Sequence, residues 1–150
     1  MTDISGFGLR MVVRASVTYP QGIEITQVAD DADPLDIPSR QIADKAMTMN
    51  GQLLTWSTAN PIVATVAVVP NSPDDIALEY LAEANTPSRG KTPARDVITL
   101  TVYYPDGSTR TLTQGAVTDA MIGQSPAAAG RFKSKVYGFA FENSAANRRA

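Results

Sequence analysis

The sequence predicts a mainly β fold: an antiparallel β-sandwich or partly closed barrel with one flanking α-helix. Three observations carry this. Apolar residues alternate at period two along residues 6–16 and again along 97–104, the pattern of strands buried on one face. Residues 62–69 are a largely β-branched run closed by Pro61 and Pro70, which suits a buried strand. Strong helix-start chemistry occurs at Ser72-Pro73-Asp74-Asp75, with a capping serine, proline at the first helical position and acids in the first turn.

In chain order, Phe7, Leu9, Met11, Val13 and Ala15 form one face of a first strand over about 6–16. The turn signal Tyr19-Pro20-Gln21-Gly22 precedes Ile23, Ile25 and Val28, so the chain opens on a hairpin. Asp30 to Pro38 holds two prolines and the acids Asp30, Asp31, Asp33 and Asp36, a composition hostile to helix interiors and central strands. It is expected to be an exposed acidic loop. Asn50-Gly51 matches a two-residue hairpin turn and favours two strands over 41–58, with a helix over Gln41 to Met47 as the alternative.

The run after Pro61 is expected at the centre of the sheet. A helix follows over about 73–85, where Ile76, Leu78, Tyr80, Leu81 and Ala84 supply apolar positions. Asn85 to Asp96, with Pro87, Gly90 and Pro93, reads as a long loop, and such loops tend to be functional. Pro105-Asp106-Gly107-Ser108 then turns a hairpin whose strands cover 97–104 and 109–113. Gln114 to Gly130 is softer. Phe132, Val136, Phe139 and Phe141 give the last strand its bulk, and Ser144 to Ala150 reads as a flexible C-terminal tail. About seven strands and one helix fit one domain over 1–150.

Composition removes several function classes. With 43% hydrophobic and 19% charged residues, the chain can bury a core. No apolar run approaches the roughly 18 to 20 residues of a membrane helix, and Met1 to Ser5 lacks a basic, then apolar, export pattern. There is no cysteine, hence no disulfide, thiolate nucleophile or zinc-thiolate site. There is no histidine, which removes the usual general base near neutral pH and the commonest metal ligand. A net charge of −2 argues against tight nucleic-acid binding.

The remaining candidates are weak as chemistry. The acidic loop has calcium-type oxygen donors, yet lacks the glycine and distal glutamate of an EF-hand. Fifteen acids make some carboxylate pair inevitable without marking one as catalytic. Gly6-Phe7-Gly8 precedes a strand, whereas a dinucleotide fingerprint follows one. No catalytic residue, cofactor or metal site is therefore expected. Met47, Met49 and Trp56 read as core, with an interface as the alternative. The charge distribution is more informative. Asp30, Asp31, Asp33 and Asp36 gather in one loop, and Arg89, Lys91 and Arg95 in another. Residue type alone favours two solvated loops. The functional alternative is a head-to-tail contact between copies, in which these seven residues meet as inter-ring contacts.

Several stretches carry a resemblance: Gln41-Ile42-Ala43-Asp44, Asn50-Gly51-Gln52-Leu53-Leu54-Thr55-Trp56, Ala94-Arg95-Asp96-Val97-Ile98-Thr99-Leu100-Thr101-Val102 and Lys135-Val136-Tyr137-Gly138-Phe139-Ala140-Phe141-Glu142-Asn143. They resemble small virion structural proteins of contractile-tailed bacteriophages, and among these the tail tube family. The resemblance rests on general character and element order rather than on a short diagnostic motif. It implies a non-enzymatic β-sandwich or barrel with one flanking helix, made in the host cytoplasm and incorporated in the virion. It further implies hexameric rings that self-assemble and stack into a tube within a sheath, with tail sheath and baseplate proteins as partners. DNA would pass the lumen without specific binding, past a wall of net negative charge. A baseplate or tube-initiating ring of the same fold is the first alternative. A monomeric ligand-binding β-domain is the second, and one tryptophan with 7% aromatics weighs against it. An enzyme ranks below both.

Overall fold

The computed structural model describes residues 8–29 and 33–147. Its strands are β1 (Arg10–Ala15), β2 (Tyr19–Ile25), β3 (Leu35–Asp36), β4 (Ala43–Met47), β5 (Leu53–Ser57), β6 (Ile62–Val68), β7 (Ile98–Tyr103), β8 (Thr109–Ala120) and β9 (Lys135–Asn147), with one helix, α1 (Pro73–Ala84). Seven strands form an antiparallel sheet in the order β2-β1-β7-β8-β9-β6-β3, and β4 and β5 pair apart from it. The mainly β, one-helix expectation is met.

Period-two alternation places one apolar side chain per step on the inner face of this sheet. Pairing carries the stripe across strands: Met11 lies opposite Val102, Val13 opposite Leu100 and Ala15 opposite Ile98. On the far side Ile62 lies opposite Phe141 and Ala64 opposite Phe139. All ten of these side chains belong to one buried cluster. Burying each of the larger ones contributes roughly 1.5–3 kcal/mol.

The sheet curls without closing. Register shifts interrupt β1–β2 near Ala15, β7–β8 near Leu100 and β8–β9 near Asp119, and such bulges increase local twist. Curling brings the chain beyond β2 to the end of β6, past its pairing with β3. There Val28 forms a single bridge to Val68, and the Ala29 amide donates to the Ala67 carbonyl at 3.1 Å.

Helix α1 packs on this curled face through Leu78, Leu81 and Ala82. Ser72 caps it, its Oγ accepting from the Asp75 amide at 3.2 Å, and Pro73 occupies the first turn where no amide is needed. Buried aspartates tie it down. Asp74 Oδ2 accepts from the amides of Thr26 and Gln27, both at 2.8 Å. Beyond the helix, Asp96 accepts from the Val17 and Thr18 amides at 2.8 and 2.9 Å and from Asn85 Nδ2 at 2.8 Å. Asn85 is also the residue that ends α1.

Several boundaries differ from expectation for physical reasons. The acidic loop contains β3, in which Leu35 pairs with Val66; Asp30 and Asp31 lie outside the described residues. β6 sits between β9 and β3, one place from the edge rather than at the centre. The segment from Gln41 to Met47 forms no helix; Ala43–Met47 is strand β4. β8 runs on through the soft stretch to Ala120, because Gln114 takes a left-handed φ of 55° that breaks the alternation without breaking the ladder. Residues Ser144–Asn147, expected as tail, continue β9 and pair with Thr109–Leu112; residues 148–150 lie outside the described residues.

Two predictions follow from packing and charge. A Cβ at Gly115 would run into the buried Phe141 ring, so Gly115→Ala should destabilise by about 1–3 kcal/mol in urea unfolding. Burial alone would raise the Asp96 pKa, but hydrogen bonds from Thr18, Asn85 and Val17 outweigh it and hold the carboxyl below its ordinary value. A folded pKa below the unfolded one contributes stability that is present above about pH 4 and lost as pH falls through the folded pKa. Asp96→Asn should therefore cost about 1–3 kcal/mol near pH 7, and its deficit against wild type should shrink in unfolding curves measured below pH 4.

Candidate assembly surfaces

The β4–β5 hairpin is built by local chemistry. Thr48 and Gln52 close its turn through a 2.9 Å amide-to-carbonyl bond, and Gly51 supplies the left-handed φ of 84° that side chains resist. Lys45 pairs with Thr55, Ala46 with Leu54 and Met47 with Leu53. Pairing and pleat put Met47 and Leu53 on one face, Leu54, Trp56 and Ala46 on the other.

Both faces are open. Met47 is 68% exposed, Leu53 58%, Trp56 49%, and Met49 at the tip is fully exposed. Met47, Met49 and Trp56 were expected in the core, with an interface as the alternative; they lie instead exposed on the ribbon. A hairpin that is apolar on both faces satisfies neither a core nor a solvated surface by itself. That two-sidedness was the legible signal. A lone two-stranded hairpin is marginal in water, and a contiguous exposed apolar surface marks an interaction site.

The neck of the hairpin is braced. Arg40 Nη1 donates to the Asn60 carbonyl at 3.2 Å, and Asn60 Nδ2 donates to the Gln41 carbonyl at 2.9 Å. Beside the brace lies a 470 Å³ cavity lined by Arg40, Ile42, Asn60, Pro61, Phe141 and Glu142. The ribbon thus leaves the core from a fixed root.

Among the described residues, the two charged loops are not joined within the subunit. Asp33 and Asp36 are exposed, as are Arg89, Lys91 and Arg95, and no ion pair among the described residues joins the groups. Lys91 Nζ donates to the Glu83 carbonyl, which pins that loop to the end of α1. Arg95 has a left-handed φ of 54°. Among the described residues no three potential ligands cluster to hold a metal ion, and no described helix is long and apolar enough to cross a membrane.

The fold matches proteins of contractile injection systems over nearly full lengths. A chain of the six-fold symmetrised baseplate of the anti-feeding prophage aligns with a TM-score of 0.58 at 9% identity, covering 98% of this chain and 97% of that one. A chain of that system's tube-terminating cap gives 0.55 at 10% identity, covering 99% and 95%. A chain from the sheath/tube terminator of an extracellular contractile injection system gives 0.52 at 13% identity, covering 99% of each. No curated protein matches the sequence. The shared property is the fold, a β sheet with one helix, as the resemblance to contractile-tail virion proteins implied. A family model described as tail fiber protein gp32 matches residues 2–145, and the chain belongs to that family.

Proposed function

We propose that this protein is a non-enzymatic structural subunit of a phage tail that forms hexameric rings, stacked into the tube through which DNA passes. The β4–β5 hairpin carries the reading. Its apolar side chains on both faces have a role only when neighbouring subunits cover them, and tryptophan at such a place is a typical binding hot spot. The free edges at β2 and β3 offer unpaired backbone groups for a neighbour's strand. The family match is to a tail protein, and the fold is shared with baseplate, terminator and cap components of injection systems.

In this reading the arm reaches an adjacent subunit, and Asp30, Asp31, Asp33 and Asp36 of one ring face Arg89, Lys91 and Arg95 of the next. Sheath and baseplate proteins surround the tube in the virion, and DNA slides through it without specific binding. A second reading places the same ring at a tube end, as a baseplate or terminator component. The likeness to baseplate, cap and terminator chains favours it.

Negative-stain electron microscopy across a concentration series tests the proposal. Wild type should give rings or tubes with a central channel, and Leu54→Ser with Trp56→Ser should give folded monomers by light scattering. A wild type that stays monomeric at high concentration would sink the idea. Trp56 is the single tryptophan and is half exposed, so its emission reports the arm directly. It should shift to shorter wavelength on assembly, and an unchanged spectrum in assembled protein would mean that the arm is not at the contact.

A further inference from the structure

Lys135, the first residue of β9, has no exposed side-chain surface. Its Nζ lies 3.3 Å from Asp75 Oδ1 and 3.2 Å from Glu79 Oε2, with the Tyr137 ring centroid 5.8 Å away. Asp75 is 1% exposed and Glu79 27%. The two acids are one helical turn apart on α1, so the pair spans helix and sheet. Lysine is almost never fully buried unless it is paired, as Lys135 is with two acids. A buried ion pair is often no more stabilising than apolar residues of similar volume, so stability alone gives this cluster little reason to exist.

The geometry points to an autocatalytic modification site: we infer that Lys135 and Asp75 condense to an intramolecular isopeptide bond, with Glu79 carrying the proton. The inference is independent of the assembly role. One proton passes from the Lys135 ammonium to the Asp75 carboxylate, giving a neutral amine beside a neutral acid. The amine lone pair attacks Asp75 Cγ, forming the N–C bond. Glu79 takes a proton from the attacking nitrogen and returns it to the departing hydroxyl as the C–O bond breaks. One amide and one water result, with no oxidant, reductant or cofactor.

The surroundings supply what this step requires. Each carboxylate oxygen of Asp75 has one donor already in place, so whichever becomes the oxyanion keeps a hydrogen bond while the other departs as water. Tyr137 Oη donates to Oδ1 at 2.7 Å, and the Asn71 amide donates to Oδ2 at 2.9 Å. Burial, with the bond to and charge of Asp75 adding to it, pushes the Tyr137 hydroxyl far above its ordinary pKa, so it remains a donor throughout. The Asn71 amide is aimed by a left-handed φ of 62°, a conformation uncommon outside glycine. Exclusion of water protects the tetrahedral intermediate and disfavours hydrolysis of the product. Reactants held by a rigid helix and strand gain the large effective concentration of an intramolecular reaction.

Intact-mass spectrometry of the full chain, denatured after purification, tests the inference. The expected mass is lower than that of the sequence by one water, and peptide mapping should find a branched peptide joining Asp75 to Lys135. Glu79→Gln, shown by circular dichroism to be folded, should keep the unmodified mass. Wild type at the full sequence mass after prolonged incubation overturns the inference. So does a water loss that maps to the Asp106-Gly107 turn, where a succinimide would produce the same change. The wild-type measurement stands whether or not a variant folds.

Discussion

The apolar face running across the seven strands of the main sheet has one helix to cover it, and the rest of the fold answers to that shortage. Bulges curl the sheet, residues of both wings join one buried cluster, and the bridge from Val28 to Val68 ties the segment after β2 to β6. The helix fills the remaining opening. Because so much depends on one element, it is fixed at three places: Asp74 holds the segment after β2, Asp75 reaches the Tyr137 hydroxyl on β9, and Asp96 joins the β1–β2 turn to the helix end through Asn85. Each carboxylate accepts bonds that backbone or side-chain donors would otherwise lack in a buried place.

Much of this was legible in residue order. Period-two alternation located β1 and β7, the proline-bounded run located β6, and the capping serine followed by proline located α1. Asn50-Gly51 marked the hairpin turn. What sequence concealed was long-range. Gln114 and Gly115 look like a break because a left-handed residue and a missing side chain interrupt the pattern, yet their reason lies across the sheet in the Phe141 ring. The end of β9 looks like a tail because its side chains are polar and exposed, while its backbone is held by β8.

The assembly surfaces show the same division. Their residues were visible, and their exposure was not. Met47, Met49 and Trp56 have the composition of a core and the position of a surface, because hydrophobicity reports that a side chain avoids water without saying whose atoms will shield it. The charged loops stood out by composition, and Asp33, Asp36, Arg89, Lys91 and Arg95 are solvent-facing in the subunit. The cluster of Lys135, Asp75 and Glu79 gave no signal at all, since Lys135 is far in sequence from the two acids and each residue is ordinary for its own element.

The single braced hairpin makes the subunit directional. A head-to-tail stack of such subunits has two chemically unlike ends. At one, arms have found their receiving surfaces; at the other, Trp56 and its neighbours still face water. In the proposed stack, growth and arrest would not be equivalent events: the end with uncovered arms would recruit the next layer or stay apolar, and a stack of defined length would require a different protein to cover it.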